Sequence, residues 1–124
     1  MGQERILVIE DDGAVRRLIA DMLGEAGYEV VCAADGREGL QRFGEAPVAL
    51  VITDLFMPEM DGLEVLHELR RLAPAARILA VSGGAAELPL DLLGASARLG
   101  AAAVLRKPFT SDELLAAVTR VLRA

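Results

Sequence analysis

The chain has 124 residues, of which 53% are hydrophobic and 26% are charged, so it can form one domain with a buried core and is too short for two ordinary domains. Its net charge is −6 and its basic residues are scattered, which argues against a surface that binds nucleic acid directly. A single cysteine, a charged N-terminus unlike a secretory signal, and the lack of an apolar run of about 18 residues indicate a cytoplasmic protein that does not insert into membranes.

Short apolar runs recur along the chain and predict five strands. They lie at residues 6–9, 28–33, 48–53, 78–81 and 102–105. Each run is apolar on successive residues, which is typical of strands that are covered on both faces, as in a parallel sheet.

Amphipathic segments between these runs predict five helices. The first covers residues 15–26, with apolar residues at three- and four-residue spacing and Gly27 as its stop. The others are predicted at 37–43 after Asp35 or Gly36, from Asp61 to before Pro74, at 90–99, and from Thr110 or Ser111 onward.

Strict alternation of strands and helices predicts the fold class. It indicates an α/β domain over residues 1–124, with a doubly wound, five-stranded parallel sheet between two layers of helices. Such sheets place their binding sites at the carboxyl ends of the strands, near the point where the strand order reverses. We therefore expect the residues that follow strands one, three, four and five to meet.

Acidic residues follow two of these strands. Glu10, Asp11 and Asp12 come after the first strand, and Asp54 comes after the third. Two carboxylates about 4 Å apart repel by roughly 4 kcal/mol at an effective dielectric constant near 20, so a cluster of this kind needs a cation. Mg²⁺ prefers such oxygen ligands. The alternative is that residues 10–12 form a solvated turn that caps the next helix.

The other chemically active residues follow strands three, four and five. Asp54 ends a buried segment, and a carboxylate can act as a nucleophile that forms an aspartyl phosphate. Ser82 offers a hydroxyl group, and Lys107, the only lysine, offers a compact positive charge. Each of the three also has an ordinary structural explanation: Asp54 as a loop cap, Ser82 as part of a turn, and Lys107 as a surface cation.

Four segments together carry a family resemblance. They are residues 6–12 (ILVIEDD), 54–62 (DLFMPEMDG), 81–84 (VSGG) and 107–109 (KPF). In this order and at these spacings, the chain resembles the receiver domain of bacterial two-component response regulators, of the chemotaxis-regulator type. The resemblance implies a flavodoxin-like (βα)5 fold with strand order 2-1-3-4-5.

The resemblance also implies residue roles. Asp54 matches the phosphoacceptor, and Mg²⁺ would be held by Asp11, by Glu10 mostly through water, by Asp54 and by the backbone carbonyl of Phe56. Ser82 and Lys107 match the hydroxyl and the cation that contact the phosphoryl group.

The implied partners are a sensor histidine kinase or histidine phosphotransfer protein as donor, and a downstream protein or output domain as target. The chain would catalyse only its own phosphorylation and dephosphorylation, and would not act as an enzyme on a separate substrate. Phosphorylation would rearrange the face formed by the fourth helix, the fifth strand and the fifth helix. Val104 stands where many receivers carry an aromatic residue that swings inward.

Other functions fit the sequence less well. A haloacid-dehalogenase-type phosphohydrolase would carry an acid at position 56, where this chain has Phe56, and a nucleotide-binding domain would carry a glycine-rich turn after the first strand. A degenerate receiver that only binds partners, favoured mildly by Val104, and a phosphate sink that drains a kinase remain as alternatives.

Overall fold

The computed structural model describes residues 4–55, 62–82 and 100–123, in which strands and helices alternate. The strands are β1 (Arg5–Ile9), β2 (Glu29–Ala33), β3 (Leu50–Asp54), β4 (Ile78–Ser82) and β5 (Ala103–Arg106). The helices within these ranges are α1 (Gly13–Glu25), α2 (Gly36–Glu45), α3 (Gly62–Leu72) and α4 (Ser111–Arg123). The helix predicted at residues 90–99 and the start predicted at Asp61 lie outside the described residues.

The five strands form one parallel sheet in the order β2-β1-β3-β4-β5. This confirms the predicted fold class and strand order. The chain winds outward from β1 in one direction to β2 and in the other direction to β3, β4 and β5. The strand order therefore reverses between β1 and β3, and the carboxyl ends of these two strands lie side by side.

Alternating residues of the central strands feed two cores on opposite faces of the sheet. Ile6 and Val8 of β1 face a cluster that includes buried residues of α1 and α4. Leu7 and Ile9 face a second cluster, which includes buried residues of α3. Because both faces are covered, β1, β3 and β4 are apolar on successive residues, which is the pattern that the sequence displays.

The third strand, predicted at residues 48–53, begins two residues later and ends one residue later, at Leu50–Asp54. Asp54 is its last residue and pairs with Val81 of β4. The ladder continues because the N–H of Leu55 donates to the Val81 carbonyl at 2.9 Å. The phosphoacceptor candidate therefore stands on the sheet itself and not in the loop that follows.

Polar side chains fix the helix starts. Asp35 caps α2, as one of the two predicted alternatives, by accepting from the N–H of Glu38 at 2.8 Å. Thr110 and Glu113 form a reciprocal capping box at the start of α4, with bonds of 3.1 and 2.8 Å.

Candidate functional site

Three carboxylates meet at the carboxyl edge of the sheet. Glu10 directly follows β1, and Asp54 ends β3, its neighbour in the sheet. One carboxylate oxygen from each of Glu10, Asp11 and Asp54 lies within 4.8 Å of the others. The sheet topology thus brings together residues that are more than forty positions apart in the sequence.

Two of these three carboxylates are buried. Glu10 is 2% exposed and Asp54 is 5% exposed, whereas Asp11 faces solvent. Withdrawing two acids from water raises the free energy of their ionised forms unless a cation or hydrogen bonds compensate. The exposed third acid leaves the cluster open to ligands from solution.

Lys107 supplies the compensating charge. Its ammonium donates to Glu10 Oε1 at 2.6 Å and to Asp54 Oδ2 at 3.3 Å, and its side chain is 18% exposed. The residue comes directly after β5, and its N–H donates to the carbonyl of Ser82 at 2.8 Å, which anchors it beside the end of β4. The only lysine of the chain therefore lies within the acidic cluster.

The surroundings shift the pKa values of both Glu10 and Lys107. Burial raises the pKa of the Glu10 carboxyl from its usual 4.5 to about 7, and the hydrogen bonds from Lys107 and from the Asp12 N–H only partly oppose the shift. Burial acts to lower the pKa of Lys107, but its contacts with Glu10 and Asp54 outweigh burial and raise that pKa. The ammonium therefore stays charged, and Glu10 is the member of the pair that titrates closer to neutral pH.

Asp12 plays a different part from its two acidic neighbours. Its Oδ1 accepts from the N–H groups of Ala14 and Val15 at 2.9 and 3.2 Å, which caps α1. Its own N–H donates to Glu10 Oε2 at 3.1 Å. Asp12 therefore caps the helix, which was the alternative interpretation of residues 10–12, whereas Glu10 and Asp11 lie in the carboxylate cluster.

The described residues include Ser82 but not Phe56. Ser82 is the last residue of β4 and is 2% exposed, so its position at the carboxyl edge matches the prediction. Phe56, whose carbonyl was expected among the metal ligands, lies outside the described residues, as does the Gly83-Gly84 pair.

Two contacts at the site were not expected from the sequence. Arg16 donates from Nη1 to the backbone carbonyl of Glu10 at 2.9 Å, and the hydroxyl of Thr53 donates to the carbonyl of Asp54 at 3.2 Å. A cation in the first turn of a helix opposes the helix dipole, and this could have singled out Arg16. Thr53 gave no comparable signal.

An apolar groove of about 330 Å³ adjoins the cluster. Its lining is Val15, Leu18, Lys107, Pro108 and Phe109. Leu18 is 52% exposed, and the Lys107–Pro108 peptide bond is cis. Lys107 lines the groove and also contacts the acids, so the groove and the cluster are continuous. A larger groove of about 450 Å³, which includes Phe43 and Val48, lies at the opposite edge of the sheet and is not lined by Glu10, Asp11 or Asp54.

The donor set fits a hard divalent cation. Three carboxylates at one edge offer oxygen ligands with a net negative charge, which suits Mg²⁺ better than metals that prefer sulfur or imidazole. Among the residues of the three described ranges, no other group of three acidic, histidine or cysteine side chains meets in this way. His67 is exposed on α3 and is not a member of this cluster.

None of the helices in the described ranges has both the length and the apolar character that crossing a bilayer requires.

Comparisons with known proteins relate the chain to one protein family. The sequence model of the response regulator receiver domain matches residues 6–119. The chain is 35% identical over 120 residues to the chemotaxis protein CheY of Bacillus subtilis (strain 168), covering 95% of this chain and 97% of that protein. It is 36% identical over 128 residues to the response regulator receiver protein CpdR of Brucella abortus (strain 2308), covering 98% of each.

Longer relatives match as well. The chain is 38% identical over 125 residues to the probable transcriptional regulator ycf27 of Porphyridium aerugineum, covering 99% of this chain. It spans about half the length of that relative, 50%.

Solved structures share the fold over nearly the whole chain. The chemotaxis protein CheY4 of Vibrio cholerae aligns with a TM-score of 0.90 at 31% identity, covering 97% of this chain and 99% of that one. A CheY-like receiver domain protein from Methanospirillum hungatei JF-1 aligns with a TM-score of 0.92 at 31% identity, covering 98% and 95%.

Proposed function

The chain belongs to the response regulator receiver domain family of two-component signalling, and from that membership we propose that Asp54 accepts a phosphoryl group from the phosphohistidine of a sensor kinase or histidine phosphotransfer protein. One observation carries the proposal. The Asp54 carboxylate is buried at the carboxyl edge of the sheet, beside two further acids and 3.3 Å from the Lys107 ammonium.

Glu10, Asp11 and Asp54 are the residues that would hold Mg²⁺, with the carbonyl of Phe56 as a further proposed ligand. When bound, the ion neutralises the carboxylates and the oxygens of the incoming phosphoryl group. The exposed position of Asp11 supports its role as the direct ligand that a hydrated ion meets first. Glu10, buried and bonded to Lys107, is suited to contact through water.

The transfer needs one nucleophile and one leaving group. A carboxylate oxygen of Asp54 attacks the phosphorus, the new O–P bond forms, and the P–N bond of the donor breaks with its electron pair going to the imidazole nitrogen. Lys107, already in contact with Asp54, pairs with a phosphoryl oxygen, and Ser82 offers its hydroxyl to another. Water later attacks the phosphorus, releases inorganic phosphate and restores the carboxylate.

The groove beside Lys107 supports a protein donor. A donor helix that presents a phosphohistidine must bring apolar side chains close to Asp54, and Leu18, Val15 and Phe109 form an apolar surface continuous with the acidic cluster. Leu18, which is 52% exposed, would be covered when such a helix docks in the groove.

Phosphorylation would change which negatively charged groups contact Lys107. It adds about −1.5 to −2 charges, so the ammonium that now bridges Glu10 and Asp54 gains a stronger acceptor. We propose that this shift, with that of Ser82, changes the surface formed by the fourth predicted helix, β5 and α4, which then binds a downstream protein or output domain. Val104 is half-buried in β5, so coupling from Asp54 to this surface would have to operate without an aromatic side chain at this position.

A receiver that only binds partners is the less favoured function. Loss of the reaction removes the reason to keep two buried carboxylates and a buried ammonium together, because such groups are costly to desolvate. This chain keeps Glu10, Asp11, Asp54 and Lys107 in contact distance. A phosphate sink uses the same chemistry and differs only in its partners.

Acetyl phosphate with Mg²⁺ tests the proposal directly. Intact-mass spectrometry should find one added phosphoryl group on the wild-type chain, none without Mg²⁺, and none on Asp54→Asn. Asp112→Asn, at an exposed acid of α4, is the matched control and should be labelled like the wild type. Full labelling of Asp54→Asn would exclude Asp54 as the acceptor.

A further inference from the structure

The side chain of Arg16 reaches back from α1 to the end of β1. Its N–H donates to the Asp12 carbonyl at 2.8 Å, as expected in the first turn of a helix. Its guanidinium instead turns toward the strand and donates from Nη1 to the Glu10 carbonyl at 2.9 Å. The residue thus links the start of the helix to the residue that begins the acidic segment.

The position is electrostatically unfavourable for an arginine. A helix N-terminus carries partial positive charge and favours anions, yet the first turn of α1 contains no acidic residue and ends with Arg16. The positive charge of Arg16 is therefore unfavourable at this helix N-terminus. Its contact with the Glu10 carbonyl gives a reason for an arginine at this position.

The bond from Arg16 gives the backbone carbonyl of Glu10 a hydrogen-bond partner. The N–H and the two carboxylate oxygens of Glu10 are bonded to Ala33, Lys107 and Asp12. Its carbonyl is the remaining polar group, and that carbonyl belongs to the peptide that joins Glu10 to Asp11. The bond from Arg16 therefore fixes the plane of the peptide from which Asp11 starts.

We propose that Arg16 is a positioning residue that holds the Glu10–Asp11 peptide in the orientation in which both carboxylates face one cation. The inference rests on the proposed function, because it assigns Arg16 to the same Mg²⁺ site. Arg16 touches a backbone oxygen and neither the phosphoryl group nor the ion. Partners that orient metal ligands in this way often matter for affinity nearly as much as the ligands do.

The sign of one measurement separates positioning from simple charge. If Arg16 acted only through its charge, removing it would tighten Mg²⁺ binding, because a cation near the site repels the ion. If it positions the peptide, removing it weakens Mg²⁺ binding by about tenfold. The two roles therefore predict opposite effects on the dissociation constant.

Calorimetric titration of the whole chain with Mg²⁺ alone is the test, with a thermal melt of each variant to verify folding. Arg16→Met should weaken Mg²⁺ binding by about tenfold. Arg16→Lys should show a smaller weakening, because a lysine can still donate one hydrogen bond to the Glu10 carbonyl but lacks the planar guanidinium. Arg17→Met removes the same charge from the next, exposed position of α1 and should bind Mg²⁺ like the wild type.

Unchanged or tighter binding by Arg16→Met would overturn the inference. Should that variant fail to fold, Arg16→Lys decides, because an affinity equal to that of the wild type would mean that the guanidinium contact with the Glu10 carbonyl does not set the Mg²⁺ affinity. A wild-type chain that does not bind Mg²⁺ would instead refute the proposed metal site itself. The failure of Arg16 as a positioning residue is thus distinct from the failure of the proposed function.

Discussion

The Lys107 ammonium lies 2.6 Å from Glu10 Oε1, although 97 positions separate the two residues in the sequence. Their strands are not neighbours, since β3 and β4 lie between β1 and β5 in the sheet. The lysine side chain therefore reaches over the ends of two intervening strands to the acid. Together with the contact to Asp54 Oδ2 at 3.3 Å, this bond places one positive charge between the two buried carboxylates.

Replacing Lys107 by methionine should destabilise the fold and strengthen Mg²⁺ binding. The unfolding free energy should fall by about 2 kcal/mol, less than the roughly 3–5 kcal/mol typical of a fully buried pair, because the lysine side chain is 18% exposed. Mg²⁺ should bind about tenfold more tightly, because a competing cation has been removed. Urea denaturation without Mg²⁺, and calorimetric titration with it, measure the two effects.

Lys107→Arg is the control for charge at this position. It should recover most of the stability and restore an Mg²⁺ affinity close to that of the wild type. A methionine variant that binds Mg²⁺ no more tightly than the wild type would contradict the placement of the ammonium within the metal site.

Asp11 and Asp12 are adjacent acids that should respond differently to the same change. Asp11→Asn should weaken Mg²⁺ binding by at least about tenfold, because it removes a charged oxygen from the cluster. Asp12→Asn removes the same charge but keeps a capping oxygen for α1, so both Mg²⁺ affinity and stability should change little. Equal losses of affinity in the two variants would mean that only net charge matters.

Two glycines of α2 should respond in opposite directions to alanine. A Cβ at Gly39 would lie 2.7 Å from Cγ1 of the buried Ile9, so Gly39→Ala should lower the unfolding free energy by about 1–3 kcal/mol. A Cβ at Gly44 meets nothing within 4 Å, so Gly44→Ala should raise it by roughly 0.5–1 kcal/mol. Urea denaturation of both variants measures the difference, and a stabilised Gly39→Ala would refute the close packing of α2 on β1.

Leu18 and Leu72 form a matched pair of exposed leucines. They are 52% and 54% exposed, on α1 and α3 respectively, and only Leu18 lines the groove beside Lys107. Leu18→Ser should slow phosphotransfer by about tenfold, with a histidine kinase that labels the wild type as donor, because Leu18 would be among the few residues that dominate the docking energy. Labelling by acetyl phosphate should not change, because that donor needs no protein contact.

Leu72→Ser should leave both reactions at the wild-type rate. If the two serine variants slowed kinase transfer equally, the donor would not depend on the groove.

The fold class and the acidic cluster could be predicted from the sequence for one physical reason. Parallel strands covered on both faces are apolar throughout, so their carboxyl ends are visible as the points where polar residues resume, as at Glu10 and Ser82. The rule that these ends meet converts positions in the sequence into a site. Asp54 fits this rule, although the strand includes it as its last residue.

The individual contacts within the site were harder to predict from the sequence. Whether Asp12 caps a helix or binds a metal depends on backbone geometry that residue types alone do not fix, and the N–H groups of Ala14 and Val15 decide it. The reach of Arg16 to a backbone carbonyl depends on a rotamer. The ion pair of Lys107 depends on how the chain leaves β5. Each of these is a property of tertiary packing.

Locating the phosphoryl group on the chain tests the central claim most directly. The wild-type protein is phosphorylated with acetyl phosphate and Mg²⁺, the acyl phosphate is trapped by borohydride reduction, and the digested peptides are sequenced by mass spectrometry. The account predicts that Asp54 is the reduced residue and that chelating Mg²⁺ before the reaction abolishes the product. A modification at Asp11, at His67 or at any residue other than Asp54 would contradict it.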